Sequence, residues 1–157
     1  MQYSFRAPEG WAETPVSIAD LGGTEIDVRF KNRDEGDLSI VVAPVLRFRD
    51  VGYNANVDME FLGPPDKIIA GFAPELYGSP LNDGDVLDTK VYSKGGLMYY
   101  QWSLKPHRYV TATATGNRIF LLATSANSRQ FRKSAANLQL MADSFNVPPA
   151  KAYGTGF

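Results

Sequence analysis

The segment from His107 to Val147 leaves a chain like this few ways to fold. Residues 108–115 and 118–125 are rich in β-branched and aromatic side chains, and only Gly116 and Asn117 separate them. A two-residue loop with glycine in its first central position suits a type II′ turn, so the two runs are expected to form a hairpin. On the first strand Val110, Ala112 and Ala114 point one way and Tyr109, Thr111, Thr113 and Thr115 the other, which predicts one small apolar face and one wetter face. On the second, Phe120 and Leu122 alternate with Ile119, Leu121 and Ala123, so both faces need cover, as in an interior strand flanked by helices. Asn127 or Ser128 can then cap a helix whose Phe131, Ala135, Leu138, Ala142 and Phe145 recur at three- and four-residue spacing. Burying Phe131, Leu138 and Phe145 against the sheet is worth about 1.5–3 kcal/mol each, before the entropy of ordering them is subtracted. Leu140 lies opposite that stripe, either as a lone exposed leucine or as part of a docking surface.

The rest of the chain extends this sheet. Residues 3–8 read as a short strand that Pro8 confines to an edge or a strand end, followed by an aromatic anchor at Trp11. Residues 24–31 alternate strictly, with Ile26, Val28 and Phe30 inward and Glu25, Asp27, Arg29 and Lys31 outward. A polar connection then leads into residues 38–44, apolar on both faces, and the two runs should pair as an antiparallel hairpin. Gly63, Pro64, Pro65 and Asp66 open a helix carrying Ile68, Ile69, Phe72 and Leu76, with Pro74 limiting or kinking its end. Residues 85–92 and 97–104 flank another turn at Gly95 and Gly96, with Met98, Tyr100, Trp102 and Leu104 on one face. Strands, helix, four strands and helix, without long βα alternation, predict an α+β fold. The expected form is an α/β/α sandwich with a mainly antiparallel central sheet. Residues 1–147 form one domain, and the Pro/Gly-rich residues 148–157 a mobile tail.

At 157 residues the chain can bury a sizeable core without disulfides or a structural metal. Its 16 basic and 17 acidic residues produce no field able to recruit nucleic acid or an anionic membrane unaided. The absence of cysteine excludes disulfides, thiol catalysis and thiolate metal sites while leaving the compartment open. No apolar run approaches the roughly 20 residues of a membrane span, and residues 1–10 carry no signal-like apolar region. The expectation is a soluble monomer that lacks a targeting peptide and meets partners through local patches.

Little in the chain announces catalysis. With one histidine, a Ser-His-Asp site can be built only on His107. No G-x-S-x-G elbow, P-loop or G-x-G-x-x-G is present, and Gly22-Gly23 and Gly95-Gly96 sit where turns are expected. Two acidic clusters, Asp34, Glu35 and Asp37 and then Asp83, Asp85 and Asp88, can be read as solvated loops or as sites for Ca²⁺ or another divalent cation. Neither has EF-hand spacing. His107 beside a carboxylate can be read as a surface ligand for Zn²⁺ or Mn²⁺, or as a hydrogen-bonded turn histidine. Arg47, Phe48 and Arg49 interleave charge and an aromatic ring as a partner surface would, unless Phe48 tucks inward. Arg129, Arg132 and Lys133 form a modest cationic helix face able to meet an acidic protein.

The ordered set of residues 107–124, Phe131 and 143–147 closely resembles the PsbP family. So do residues 3–5 with Gly10 and Trp11, 26–30 feeding 38–44, the helix start at 63–66, and 97–100. The resemblance implies a thylakoid-lumen location and a non-enzymatic, peripheral role at photosystem II, including its oxygen-evolving complex, or at another thylakoid complex such as the NADH dehydrogenase-like one. The family's extrinsic photosystem II subunit helps retain Ca²⁺ and Cl⁻, and other members are assembly factors. Two departures separate this chain from that subunit: no long segment precedes Tyr3, and Ser128 stands where the family tends to have an acidic residue close to the histidine matched by His107. A PsbP-domain protein is therefore expected rather than the ion-retaining subunit. Nuclear import factors that bind the small GTPase Ran are similar in architecture and form the alternative. An enzyme built on His107 and a neighbouring carboxylate is a third reading.

Overall fold

The computed structural model describes residues 3–15, 26–52 and 55–150, without the side chain of Arg47. The expected turn at Gly22-Gly23, the first two residues of the expected 24–31 strand, and residues 151–157 of the expected tail lie outside the described residues.

Among the described residues seven strands are formed: β1 (Ala12–Thr14), β2 (Ile26–Asn32), β3 (Gly36–Pro44), β4 (Val86–Lys94), β5 (Leu97–Leu104), β6 (Arg108–Thr115) and β7 (Arg118–Ser125). They make one sheet in the order β1-β2-β3-β7-β6-β5-β4, and every neighbouring pair is antiparallel. The described residues also form three α-helices: α1 (Met59–Leu62), α2 (Pro65–Tyr77) and α3 (Ser128–Ser144). The expected antiparallel α/β/α sandwich is what forms. In the β6–β7 hairpin, Thr115 faces Arg118 and Gly116 has φ 62°. Since His107 is the one non-glycine residue with positive φ among those described, the turn has the signs of type II′.

Two apolar layers follow from strand alternation. On one face Val41, Ala43, Tyr100, Trp102, Leu104, Val110, Ala112, Ala114, Ile119 and Leu121 pack under α1 and α2 through Met59, Leu62, Ile68, Ile69 and Phe72. On the other, Leu38, Ile40, Tyr99, Phe120 and Leu122 pack under α3 through Leu138, Met141, Ala142 and Phe145. β3 and β7 contribute to both layers, as their two apolar faces require.

Several expectations change in detail. Residues 3–8 do not form a strand: a single bridge joins Ser4 to Asn146, and the edge strand is β1. Ile26 does not share a face with Val28 and Phe30, because a register irregularity between Ile26 and Val28 sets Ile26 opposite Val41 and Val28 opposite Ile40. Ile26 consequently packs into the α1/α2 layer and the other two into the α3 layer. The threonine face of β6 is not wet. Thr111, Thr113 and Thr115 are buried, with their hydroxyls hydrogen bonded. Thr111 Oγ1 donates to the Ala142 carbonyl at 3.1 Å and accepts from Gln101 Nε2 at 3.0 Å, while Thr113 Oγ1 donates to the Met98 carbonyl. Burial of threonine becomes tolerable once a helix terminus or a neighbouring strand supplies the partner.

α3 is capped at Asn127 by a capping box, with Asn127 accepting from the Gln130 amide and Gln130 Oε1 accepting from the Asn127 amide. At its other end Lys94 Nζ donates to the carbonyls of Asp143 and Phe145, where a cation complements the helix dipole. α2 runs through Pro74 to Tyr77 and ends at Gly78, whose φ of 75° is the left-handed cap. The start of the expected tail is tied down, because the Ala150 amide donates to Thr115 Oγ1.

Candidate functional site

The only histidine and two neighbouring clefts lie at one end of the sandwich. There the β2–β3 turn, the β5–β6 turn and the entry to α3 meet. A cis peptide joins Lys105 to Pro106, and His107 follows with φ 57°. Its ring lies 4.6 Å from that of Phe131, nearly parallel, and its Nε2 is 3.2 Å from Ser128 Oγ. Ser128, at the position where the resemblance implies an acidic residue, is thus in contact with the histidine. Tyr77 donates its hydroxyl to the Lys105 carbonyl, and the Lys105 amide donates to the Asp85 carbonyl, which fixes the turn from below.

Arg108, the next residue, lays its guanidinium 4.8 Å from the Tyr77 ring centroid. Burial raises the Tyr77 pKa, opposed by the positive charge of Arg108. The Arg108 Nε is buried without a hydrogen-bond partner. A cleft of about 390 Å³ opens beside it, lined by Arg29, Lys31, Asp37, Glu75, Arg108, Thr124 and Ser125 among others. A second cleft of about 370 Å³ shares Lys31, Asp37, Arg108 and Ser125 and continues to Pro106, Asn127 and Gln130. Together they form a charged, hydroxyl-rich notch able to accept an acidic or hydrogen-bonding loop from a partner.

The predicted site residues fall in different places. Among the described residues no three His, Asp or Glu side chains come together as a metal site. Asp85 Oδ2 accepts from the Asn82 amide, Asp88 lies exposed on β4, and Asp83 is not gathered with them. The other acidic loop is tied into the fold: Asn32 Oδ1 accepts the amides of Asp34 and Glu35, and Glu35 Oε1 accepts from Asn137 on α3. The side-chain hydrogen-bond partner of His107 is the Ser128 hydroxyl, not the neighbouring carboxylate expected from sequence.

The partner residues split between the two ends of the molecule. Arg129 lies in the first turn of α3, at the His107 end, and Arg132, Lys133 and Leu140 follow along the exposed helix face, with Leu140 49% exposed. Arg49 sits at the opposite end, near the β6–β7 turn, with its guanidinium 5.2 Å from the Phe61 ring centroid. Phe48 does tuck inward, against Phe72. The side chain of Arg47 lies outside the described residues. Sequence reading missed Arg108 and Lys31, since only the folded register sets β2 and β6 around one cleft.

Comparison with known proteins agrees with this architecture. The PsbP family model matches residues 1–147. The chain is 46% identical over 146 residues to PsbP domain-containing protein 4, chloroplastic, of Arabidopsis thaliana. It is 27% identical to PsbP domain-containing protein 6 and 24% identical to photosynthetic NDH subunit of lumenal location 1, both chloroplastic proteins of the same plant. Each match covers 92% of this chain, which spans 55%, 60% and 58% of those relatives' lengths. The solution structure of cyanobacterial PsbP (CyanoP) from Synechocystis sp. PCC 6803 is similar in fold, with a TM-score of 0.65 at 18% identity, covering 93% of this chain and 86% of that one. Sandwich, ordered sequence pattern and family match agree: this chain belongs to the PsbP family.

Proposed function

We propose that this chain is a thylakoid-lumen accessory or assembly protein without chemistry of its own, docking on photosystem II or a related thylakoid membrane complex. The observation that carries the reading is the 46% identity to a chloroplastic PsbP-domain protein across nearly the whole chain. A relative named as a lumenal subunit of the photosynthetic NDH complex supports the compartment and the class of partner. The family match takes the place of the Ran-binding alternative. No helix among the described residues is long and apolar enough to cross a membrane, which agrees with a peripheral role.

The docking surface in this reading is the notch around Lys31, Pro106 and Arg108, where clefts, cations and hydroxyls converge. Its lining sets Arg29, Lys31 and Arg108 against Asp37 and Glu75, one positive charge in excess, so an acidic lumenal loop of a membrane subunit is the partner it favours.

Affinity purification from thylakoid membranes tests this with tagged wild-type protein and a Lys31→Glu/Arg108→Glu variant. Wild type should bring down subunits of one membrane complex and the folded variant should lose them. Recovery of soluble lumenal proteins alone, or of nothing, would overturn the proposal.

A further inference from the structure

β4 ends the sheet. It is nine residues long, pairs among the described residues with β5 alone, and is exposed along most of its length. A free edge of this kind is a template for another strand, and proteins usually blunt it with proline, dense charge or shortness. β4 has no proline, and its irregularity lies near one end, between Val86 and Asp88. Leu87 is 59% and Val91 53% exposed.

The order of residues along this edge is self-complementary. With a two-fold axis through Thr89, antiparallel pairing sets Asp88 opposite the partner's Lys90 and Lys90 opposite the partner's Asp88. Thr89 then meets the partner's Thr89, and Val91 comes up to the irregular end of the partner's strand at Leu87. Asp88 and Lys90 share one sheet face, since they lie opposite Ser103 and Gln101 of β5. Both side chains are exposed, and neither makes a side-chain hydrogen bond or ion pair with another described residue. Competing registers are poorer. An axis through Lys90 sets that lysine against itself. An axis through Val91 asks Asp88 to pair with the partner's Lys94, whose Nζ already donates to the Asp143 and Phe145 carbonyls.

We infer that β4 is a self-association edge, on which a second copy of this chain pairs antiparallel about Thr89 and continues the seven-stranded sheet across a two-fold axis. The monomer expected from sequence is the state this inference sets itself against. Opposite charges directly across two strands attract and like charges repel, so the two Asp88–Lys90 pairs set the register as well as the affinity.

Sedimentation velocity over a range of concentrations tests the inference. Wild type should show a concentration-dependent dimer. Asp88→Lys or Lys90→Asp alone should weaken it roughly tenfold, and the two changes together should restore it. Because the chain has no cysteine, Thr89→Cys should form a disulfide-linked dimer under oxidation, whereas Val91→Cys should not. Unchanged far-UV circular dichroism confirms that the variants fold. A monomer at every concentration, a dimer indifferent to charge reversal, or cross-linking at Val91 rather than Thr89 would overturn the inference. So would a monomer whose β4 amides become protected only when thylakoid membranes are added, since that gives the edge to another protein.

Discussion

Gly36 occupies a position that no other residue fills without strain. Its φ is 142°, and a Cβ there would lie 2.5 Å from the Ser125 carbonyl oxygen on β7, a backbone atom that cannot step aside. Gly36→Ala should therefore destabilise the fold by about 1–3 kcal/mol, read as a lower denaturation midpoint in urea. Tyr92 gives a prediction in pH. Its ring stacks on Tyr99 with centroids 5.4 Å apart, and its buried hydroxyl has no hydrogen-bond partner. Burial first, then the negative charge of Asp143, pushes its pKa up to about 12 from 10.0. The folded state thus holds this proton more tightly than the unfolded chain, so the stabilisation is present below pH 10 and lost as pH rises towards 12. Urea titrations across that window should show falling stability, and Tyr92→Phe should flatten the fall. None of this was legible in the sequence. The glycine's need depends on how close β7 passes, and the tyrosine's on what covers it.

At the level of elements, α3 shows what periodicity reveals and what it leaves out. Leu138, Ala142 and Phe145 were placed correctly by their spacing, and all are fully buried. Met141 joins them unforeseen, while Phe131 and Ala135 are only half-buried. The stripe drifts around the helix as its axis crosses the twisted sheet, which a fixed three- and four-residue count does not follow. Leu138→Ala should cost about 2–5 kcal/mol, because the site is enclosed by sheet and helix and collapses poorly. Asn127→Ala removes the acceptor for the Gln130 amide and should cost about 1 kcal/mol. Thermal unfolding of both variants checks the order. β2 makes the complementary point: its alternation was plain, yet one bulge sent Ile26 to the opposite layer from Val28 and Phe30. The β6 threonines looked like a wet face for a related reason, since hydroxyls that find partners under a helix are indistinguishable in sequence from hydroxyls in water.

For the whole molecule, the layer order and the antiparallel sheet followed from sequence because apolar alternation and two tight turns leave little choice. The candidate docking notch did not, because Lys31, Arg108 and Ser125 are far apart in the chain and meet only through the β2–β3–β7–β6 register. The same register splits the arginines that sequence had grouped as partner contacts, with Arg49 at one end and Arg129 at the other. Docking through the notch leaves the β4 edge and the exposed face of α3 free, so one surface should carry recognition of the membrane complex. Site-specific photo-cross-linking in thylakoids tests that claim most directly, with the reactive group placed at Lys31, Lys105 or Leu140 in turn. Groups at Lys31 and Lys105 should capture a lumenal loop of one membrane complex, and the group at Leu140 should not. Capture of that complex from Leu140 alone, or of no membrane protein from any position, would contradict the account.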